Sequence, residues 1–446
     1  MQLSHRISRR EALSLLSLAS LTIGTPRARS AASPKGSPTL SGLECFLRDH
    51  TRALKGKTIG LITNPTGLDS KLRSSASLLA HHPDLKVGAL YGPEHGVRGD
   101  AQAGQYVPFF NDSKLNLPVF SLYGKSKKPE PWMLRNVPNT SPSTSSPTYA
   151  PTAPSEPSTI ALSLDAMLFD IQDVGTRAYT YIATMAYAMQ ACAEQRIPFW
   201  VLDRPNPING LDLEGPTLDY PALSSFVGLY PIPLRHGMTT GELARLFNEL
   251  FLKPKAELKI IPCQGWRRRQ WFDATGLPWI MPSPNLPSLD SATVYPGQVL
   301  LEGTNVSEGR GTTRPFECFG APWLDGFDLT ARLNALRIPG AAFRETWFTP
   351  TFSKFQGQRC GGSQIHITDR SQFRPVAAAL KIIQTIHRTA PDKFEFLPGT
   401  FDKLIGTTRA RLFLRADRDL KPLIAEFDTE ARSFYALRRP YLIYRS

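Results

Sequence analysis

Five cysteines in 446 residues, none in a CxxC pair, exclude a zinc ribbon or a dithiol redox motif. Cys45, Cys192, Cys263, Cys318 and Cys360 are scattered singly and read as buried thiols acting as small hydrophobes. No apolar run reaches the roughly 18 to 20 residues that a membrane-spanning helix requires, so no stable membrane insertion is expected. Nucleotide and hydrolase signatures are missing too. No GxGxxG follows the first strand-like segment, and there is no GxxxxGK[ST], HExxH or GxSxG. Neither a nucleotide cofactor nor a bound metal is therefore expected. Acid is also scarce: 38 Asp and Glu against 52 Lys and Arg give a formal charge of +14.

A hydrophobic fraction of 41% is enough for a sizeable core, and the length suits two domains, or one large and one small. The first residues read as an export signal. Ser8-Arg9-Arg10-Glu11-Ala12-Leu13 is a twin-arginine motif, a modestly apolar stretch runs from Ala12 to Ile23, and small residues near 28–32 offer a cleavage zone. Residues 1–32 are thus a twin-arginine signal peptide, which implies a periplasmic or envelope location. The alternative is a basic amphipathic N-terminal helix. Losing the five arginines and single glutamate of residues 1–30 leaves the mature chain basic, which suits an anionic envelope or an acidic substrate. The export signal argues against nucleic acid, and Arg267-Arg268-Arg269 reads as a solvated face.

From about residue 40 strands and helices alternate. Strands are expected at Lys57 to Thr63, Leu85 to Leu90, Leu117 to Leu122, Ala166 to Ile171, Phe199 to Leu202 and Glu257 to Pro262. Helices are expected at Ser70 to Ala80, Tyr179 to Gln195 and Thr240 to Leu252. This is the pattern of an α/β chain with a Rossmann-like, doubly wound parallel sheet over 40–280. Residues 138–160, dominated by Ser, Thr and Pro, read as a disordered surface insertion. Residues 281–324, rich in Pro, Gly, Asn and Glu, read as an interdomain cleft segment. A smaller α+β domain is expected over 325–446, with a strand near Ile365 to Ile367 and helices at Pro375 to Arg388 and Leu420 to Tyr435.

Several polar clusters directly follow predicted parallel strands: Asn64, Glu94/His95/Arg98, Asp170/Asp173/Arg177 and Asp203/Arg204/Asn206. The carboxyl ends of such strands share one edge, so these loops should converge on one crevice. Carboxylates beside Tyr91, Tyr179 and Tyr181 suit a sugar, because aromatic faces stack on pyranose rings and amides and arginines bind hydroxyls and carboxylates. Glycosidic cleavage needs a carboxylic acid to protonate the departing oxygen. Glu94, on a rigid Gly/Pro turn, is the candidate, its structural alternative being a cap or a salt bridge to Arg98. Asp173 is the candidate second carboxylate, with Glu302 and Glu308 behind it. Asp170, inside an apolar run, reads as a buried structural acid. His236 is a candidate substrate ligand.

At these residues the chain resembles the NamZ-type exo-β-N-acetylmuramidases. The matching segments are Thr63-Asn-Pro-Thr-Gly-Leu-Asp69, Tyr91-Gly-Pro-Glu-His-Gly-Val-Arg98, Phe169-Asp-Ile-Gln-Asp-Val-Gly-Thr-Arg177 with Tyr179-Thr-Tyr181, Asp203-Arg-Pro-Asn-Pro207, Arg235-His-Gly-Met-Thr239, Ser283-Pro-Asn285 and Leu301-Glu-Gly-Thr-Asn-Val-Ser-Glu-Gly-Arg-Gly311. The resemblance runs from about residue 42 to the C-terminus; the 138–160 insertion departs from the pattern. It implies a Rossmann-like N-terminal domain, a smaller C-terminal domain with a cleft between them, and release of N-acetylmuramic acid (MurNAc) from the non-reducing end of peptidoglycan fragments. The glutamate of the PEHG motif, here Glu94, would be catalytic.

That substrate carries a lactyl carboxylate, for which Arg98, Arg177, Arg204 and Arg310 are available. Asn64, His95, Asn206, Asn285, Asn305 and Tyr181 are assigned to the remaining substrate contacts. Asp173 would act as base, nucleophile or amide-orienting group, since the 2-acetamido group could itself attack the anomeric carbon. Residues 281–323 would close one end of the pocket. The rival reading is a non-catalytic periplasmic binding protein for wall sugars.

Overall fold

The computed structural model describes residues 39–124, 126–135 and 162–445. The expected signal peptide and the whole 138–160 insertion lie outside those residues.

The strands of the larger sheet are β1 (Thr58–Thr63), β2 (Lys86–Gly92), β3 (Phe110–Asp112), β4 (Leu117–Ser121), β5 (Ala166–Asp170), β6 (Phe199–Leu202) and, after a β7 (Glu214–Thr217)/β8 (Pro233–Arg235) hairpin, β9 (Leu258–Ile261). They lie in the order β3-β4-β2-β1-β5-β6-β9, parallel throughout except between β3 and β4. The apolar runs are explained by burial on both faces. Leu61, Leu90 and Leu168 point to one face with Phe46 of α1 (Gly42–Asp49), while Ile62, Tyr91 and Phe169 point to the other with Met185 of α4 (Tyr181–Glu194).

The helix expected from Ser70 begins only at Ser75, as α2 (Ser75–Ala80). The Asp69 carboxylate accepts the backbone N–H of Lys71 and Arg73, which holds the chain in a turn instead. After the short α3 (Pro131–Leu134), α5 (Thr240–Leu250) starts at Thr239, which forms a capping box with Glu242.

Residues 281–323 are largely structured: α6 (Leu289–Gln298), a 3₁₀ turn at Val299–Gly303 and β10 (Cys318–Ala321). Beyond them come α7 (Gly326–Ala335), β11 (Ala341–Phe348), β12 (Cys360–Ile367), α8 (Pro375–Thr389), α9 (Pro398–Ile405), α10 (Arg409–Arg415) and α11 (Leu420–Arg438). β10, β12 and β11 form an antiparallel sheet, and α11 packs against β7 of the N-terminal half.

The arginine triplet is not a solvated face throughout. Arg268 is 2% exposed, pairs with Glu242 at 2.5 Å and donates to the Gly210 and Gly237 carbonyls; only Arg267 and Arg269 are exposed. All five cysteines are buried and free. Among the described residues no helix is long and apolar enough to cross a membrane.

Candidate active site

Strand order decides which loops meet. The chain builds outward from β1 to β2 and β4, then returns to place β5 on the other side of β1. The switch between β1 and β5 opens a crevice at their carboxyl ends. Asn64 leaves β1 there, Asp173 follows β5, and Glu94 follows β2, the other neighbour of β1.

Glu94 sits on a reversal in which His95 (φ 72°) and Gly96 (φ 74°) are both left-handed, a conformation that glycine takes freely and histidine at some cost. Its carboxylate is 8% exposed. Oε1 accepts the Gly104 N–H at 3.0 Å and Oε2 accepts the Thr180 hydroxyl at 2.7 Å. Tyr123, two residues beyond β4, stands beside it. Burial, and then the Glu94 carboxylate, pushes that phenol up to about 12. His95 donates from Nδ1 to the Ala101 carbonyl at 2.7 Å, and burial lowers its proton affinity.

Asp173 is 5% exposed and its two oxygens differ. Oδ2 accepts the Gly175 N–H at 2.8 Å and faces His236 Nε2 at 3.5 Å; Oδ1 is buried with no hydrogen-bond partner. Gly175 (φ 80°) is required at this turn, because a Cβ would stand 2.6 Å from Asn206 Oδ1. His236 Nδ1 accepts the Met238 N–H at 3.2 Å, so the ring proton lies on Nε2, toward Asp173.

The phenols of Tyr181 and Tyr295 lie within electrostatic reach of both carboxylates. Burial raises both, and Glu94 and Asp173 bear on each of them. Tyr179 and Tyr181 meet edge-on at 4.8 Å, and Tyr179 and Tyr295 at 5.6 Å. The Tyr181 hydroxyl donates to the Pro282 carbonyl and neighbours Asn64. Residues 281–323 thus wall this side of the site. They also bring Arg310, whose guanidinium reaches Glu302 at 2.8 Å and Glu308 at 3.3 Å; Lys354 holds Glu308 from the other side at 3.0 Å. Burial raises the Glu302 carboxyl, against the pull of Arg310. Asn285 lies 3.4 Å from the Gln102 amide oxygen, on the loop that also supplies Gly104.

Several expected ligands are elsewhere or already engaged. Arg177 is 1% exposed and donates to the carbonyls of Pro216, Ile232, Leu404 and Ile405. Arg204 is locked on Asp170, at 2.7 and 3.0 Å, and on the Leu68 carbonyl. Arg98 turns outward, 60% exposed, to pair with Asp112 at the end of β3. Of the four candidate arginines, Arg310 is the one whose charge opposes protonation of His95, after burial. Asn206 is a loop former, with its amide on Met238 O and Ile208 N. Asn305 ties the backbone of Lys393 and Glu395. His236 is fully buried behind Asp173 rather than open to a ligand, and Tyr91 is a core residue whose hydroxyl donates to Met133 O. Sequence reasoning passes over Thr180, Tyr123 and Tyr295; the one signal was the position of Tyr123 directly after a parallel strand.

Two open grooves elsewhere on the molecule do not contain this chemistry. One of about 440 Å³ lies between the β7–β8 hairpin, the start of α8 and α11, and its charges neutralise one another: Arg235 with Asp212, Arg374 with Asp428 and Glu214. Another, of about 510 Å³, lies between α8 and α11. The Glu94 site instead gathers buried polar atoms without partners, Asp173 Oδ1, His236 Nε2 and the Tyr179 hydroxyl, a mark of a ligand site.

The sequence model described as "Exo-beta-N-acetylmuramidase NamZ, N-terminal" matches residues 59–139 and 148–290, and that described as "Exo-beta-N-acetylmuramidase NamZ, C-terminal" matches 293–444. The chain is 49% identical over 405 residues to the peptidoglycan beta-N-acetylmuramidase NamZ of Bacillus subtilis (strain 168), covering 91% of each. Two crystal structures of DUF1343 family proteins from Bacteroides fragilis NCTC 9343 are similar to it. One has a TM-score of 0.79 at 35% identity, covering 92% of this chain and 99% of that one; the other has 0.71 at 29%, covering 92% and 100%. With both halves matched and the site-forming loops inside the matched regions, the chain belongs to the exo-beta-N-acetylmuramidase NamZ family.

Proposed function

We propose that this chain is an exo-acting glycosidase that releases MurNAc from the non-reducing end of peptidoglycan fragments. The observation that carries this reading is Glu94, a carboxylate held by Gly104 and Thr180 in a phenol-lined crevice, with Asp173 two strands away offering one free oxygen. Two strand spacings are about 10 Å, enough for a sugar ring between them. The 49% identity to a peptidoglycan beta-N-acetylmuramidase supports the same substrate class.

In this reading Glu94 acts in its protonated, carboxylic-acid form and gives that proton to the glycosidic oxygen as the C–O bond breaks. Water supplies hydroxide to the anomeric carbon, and its second proton restores a carboxyl group. Asp173 Oδ1 serves as base, nucleophile or orienter of the acetamido N–H. Arg310 receives the lactyl carboxylate, in competition with Glu302 and Glu308. The 281–323 segment closes the pocket behind the non-reducing end, which makes cleavage exo. The chain acts after export through the twin-arginine pathway, in the periplasm or envelope.

The test is incubation of the full chain with the disaccharide MurNAc-GlcNAc, following free MurNAc by mass spectrometry. Wild type should release it, and Glu94→Gln should lower kcat by roughly two orders of magnitude or more. No release by wild type, or an unimpaired Glu94→Gln, would overturn the reading.

A further inference from the structure

Glu94 divides the carboxyl edge of the sheet. Toward β1 and β5 lie Asn64, Tyr181 and Asp173. Toward β4 lies Tyr123, and beside Tyr123 is a cluster with no part in the foregoing chemistry. The Phe226 ring, from the β7–β8 connection, stands 5.7 Å from that of Tyr123. It stacks on Tyr187 of α4 at 6.0 Å with planes 9° apart. Lys127 Nζ lies 4.3 Å from the Phe226 centroid and 5.0 Å from that of Tyr123. Three separate segments of chain converge to build this group.

A packing cluster would be buried, but all four side chains are only half-buried. Among the described residues no carboxylate pairs with Lys127, and its ammonium lies against two ring faces. Leaving three aromatic rings and a cation at a rim is costly unless something covers them.

We propose that Tyr123, Phe226, Tyr187 and Lys127 form the subsite for the leaving-group sugar, the residue that keeps the glycosidic oxygen as its new hydroxyl. The inference rests on Glu94 as proton donor. A proton donor lies alongside the bond it cleaves, so the sugar that keeps the oxygen extends to the side opposite the MurNAc ring. With MurNAc held between Glu94 and Asp173, that side is β4. A pyranose presents C–H bonds to an aromatic face and hydroxyls around its edge. The parts of the Tyr123, Phe226 and Tyr187 rings left exposed by their mutual packing supply the apolar surface, and the Lys127 ammonium donates to the edge.

The experiment compares two ligands, MurNAc-GlcNAc and free MurNAc, on the full chain. Phe226→Ala should raise KM for MurNAc-GlcNAc about tenfold, or 1.4 kcal/mol, and Lys127→Ala about threefold. Inhibition by free MurNAc should stay within twofold of wild type for both. Calorimetric binding of the same two sugars to Glu94→Gln chains carrying each change should show the same split. Lys127 is a surface side chain, so Lys127→Ala keeps the question open to decision if Phe226→Ala fails to fold. Equal weakening for both sugars, or none for the disaccharide, would overturn the subsite. Absence of MurNAc release by wild type, with the split in binding intact, would instead remove the proton-donor reading and with it the leaving-group role, leaving the cluster as a binding site for the second sugar alone.

Discussion

At the scale of single residues, the site depends on which oxygen or nitrogen is left without a partner. Asp173 has one oxygen satisfied and one free, and His236 stands behind the satisfied one. His236→Ala should therefore lower kcat about tenfold, equivalent to 1.4 kcal/mol of barrier, with KM within twofold. His236→Gln, which keeps an N–H donor toward Asp173, should recover part of the loss. Steady-state kinetics on MurNAc-GlcNAc decide it, because a substrate ligand would show its effect in KM. His95 carries a stability consequence. Burial lowers its proton affinity, so on acidification the unfolded chain takes up the proton first, near its usual 6.5, and the folded chain only at lower pH. Its contribution is intact above about 6.5 and is lost as pH falls below that value. His95→Asn tolerates the left-handed backbone and should make the fall in melting temperature between pH 7 and pH 5 shallower. An unchanged slope would show that other groups set it.

At the scale of elements, charge residues adjacent in sequence separate into different tasks. Arg177 lies four residues beyond Asp173, yet its guanidinium ties the β7–β8 hairpin, through Pro216 and Ile232, to the last turn of α9, through Leu404 and Ile405. Those carbonyls at the end of a helix have no intrahelical donor, and a buried cation satisfies them. Arg177→Leu should cost about 3 to 4 kcal/mol in urea unfolding, since several buried acceptors lose their donor at once. A loss below 1 kcal/mol would mean that water replaces the guanidinium. The strand–helix alternation was legible in the sequence because β1, β2, β5 and β6 are buried on both faces and so must be apolar throughout. The late start of α2, the β7–β8 hairpin, and β11 were not legible. The first is fixed by a side-chain hydrogen bond of Asp69, and the others are short or mix exposed and buried positions without a clean period.

At the scale of the whole molecule, the two family regions meet at the site. The N-terminal region supplies Glu94, Asp173 and Tyr181, and the C-terminal region supplies Tyr295 and Arg310. Neither half alone holds both carboxylates and the arginine. The proposed export is a property of the chain's first residues, Arg9 and Arg10 above all. Replacing both by Lys should leave the protein in the cytoplasmic fraction while the purified enzyme keeps its activity; unchanged fractionation would remove the twin-arginine route.

The polypeptide by itself determined the doubly wound sheet and the convergence of the Asn64, Glu94 and Asp173 loops, because parallel strands buried on both faces must present their carboxyl ends along one edge. Only the tertiary structure decided which side chains along that edge are free. Arg177, Arg204, Asn206 and Asn305 have the chemistry of ligands, but each meets backbone or carboxylate partners that arrive from distant segments. Tyr295 reaches the site because packing brings it there, and no spacing in the sequence encodes that.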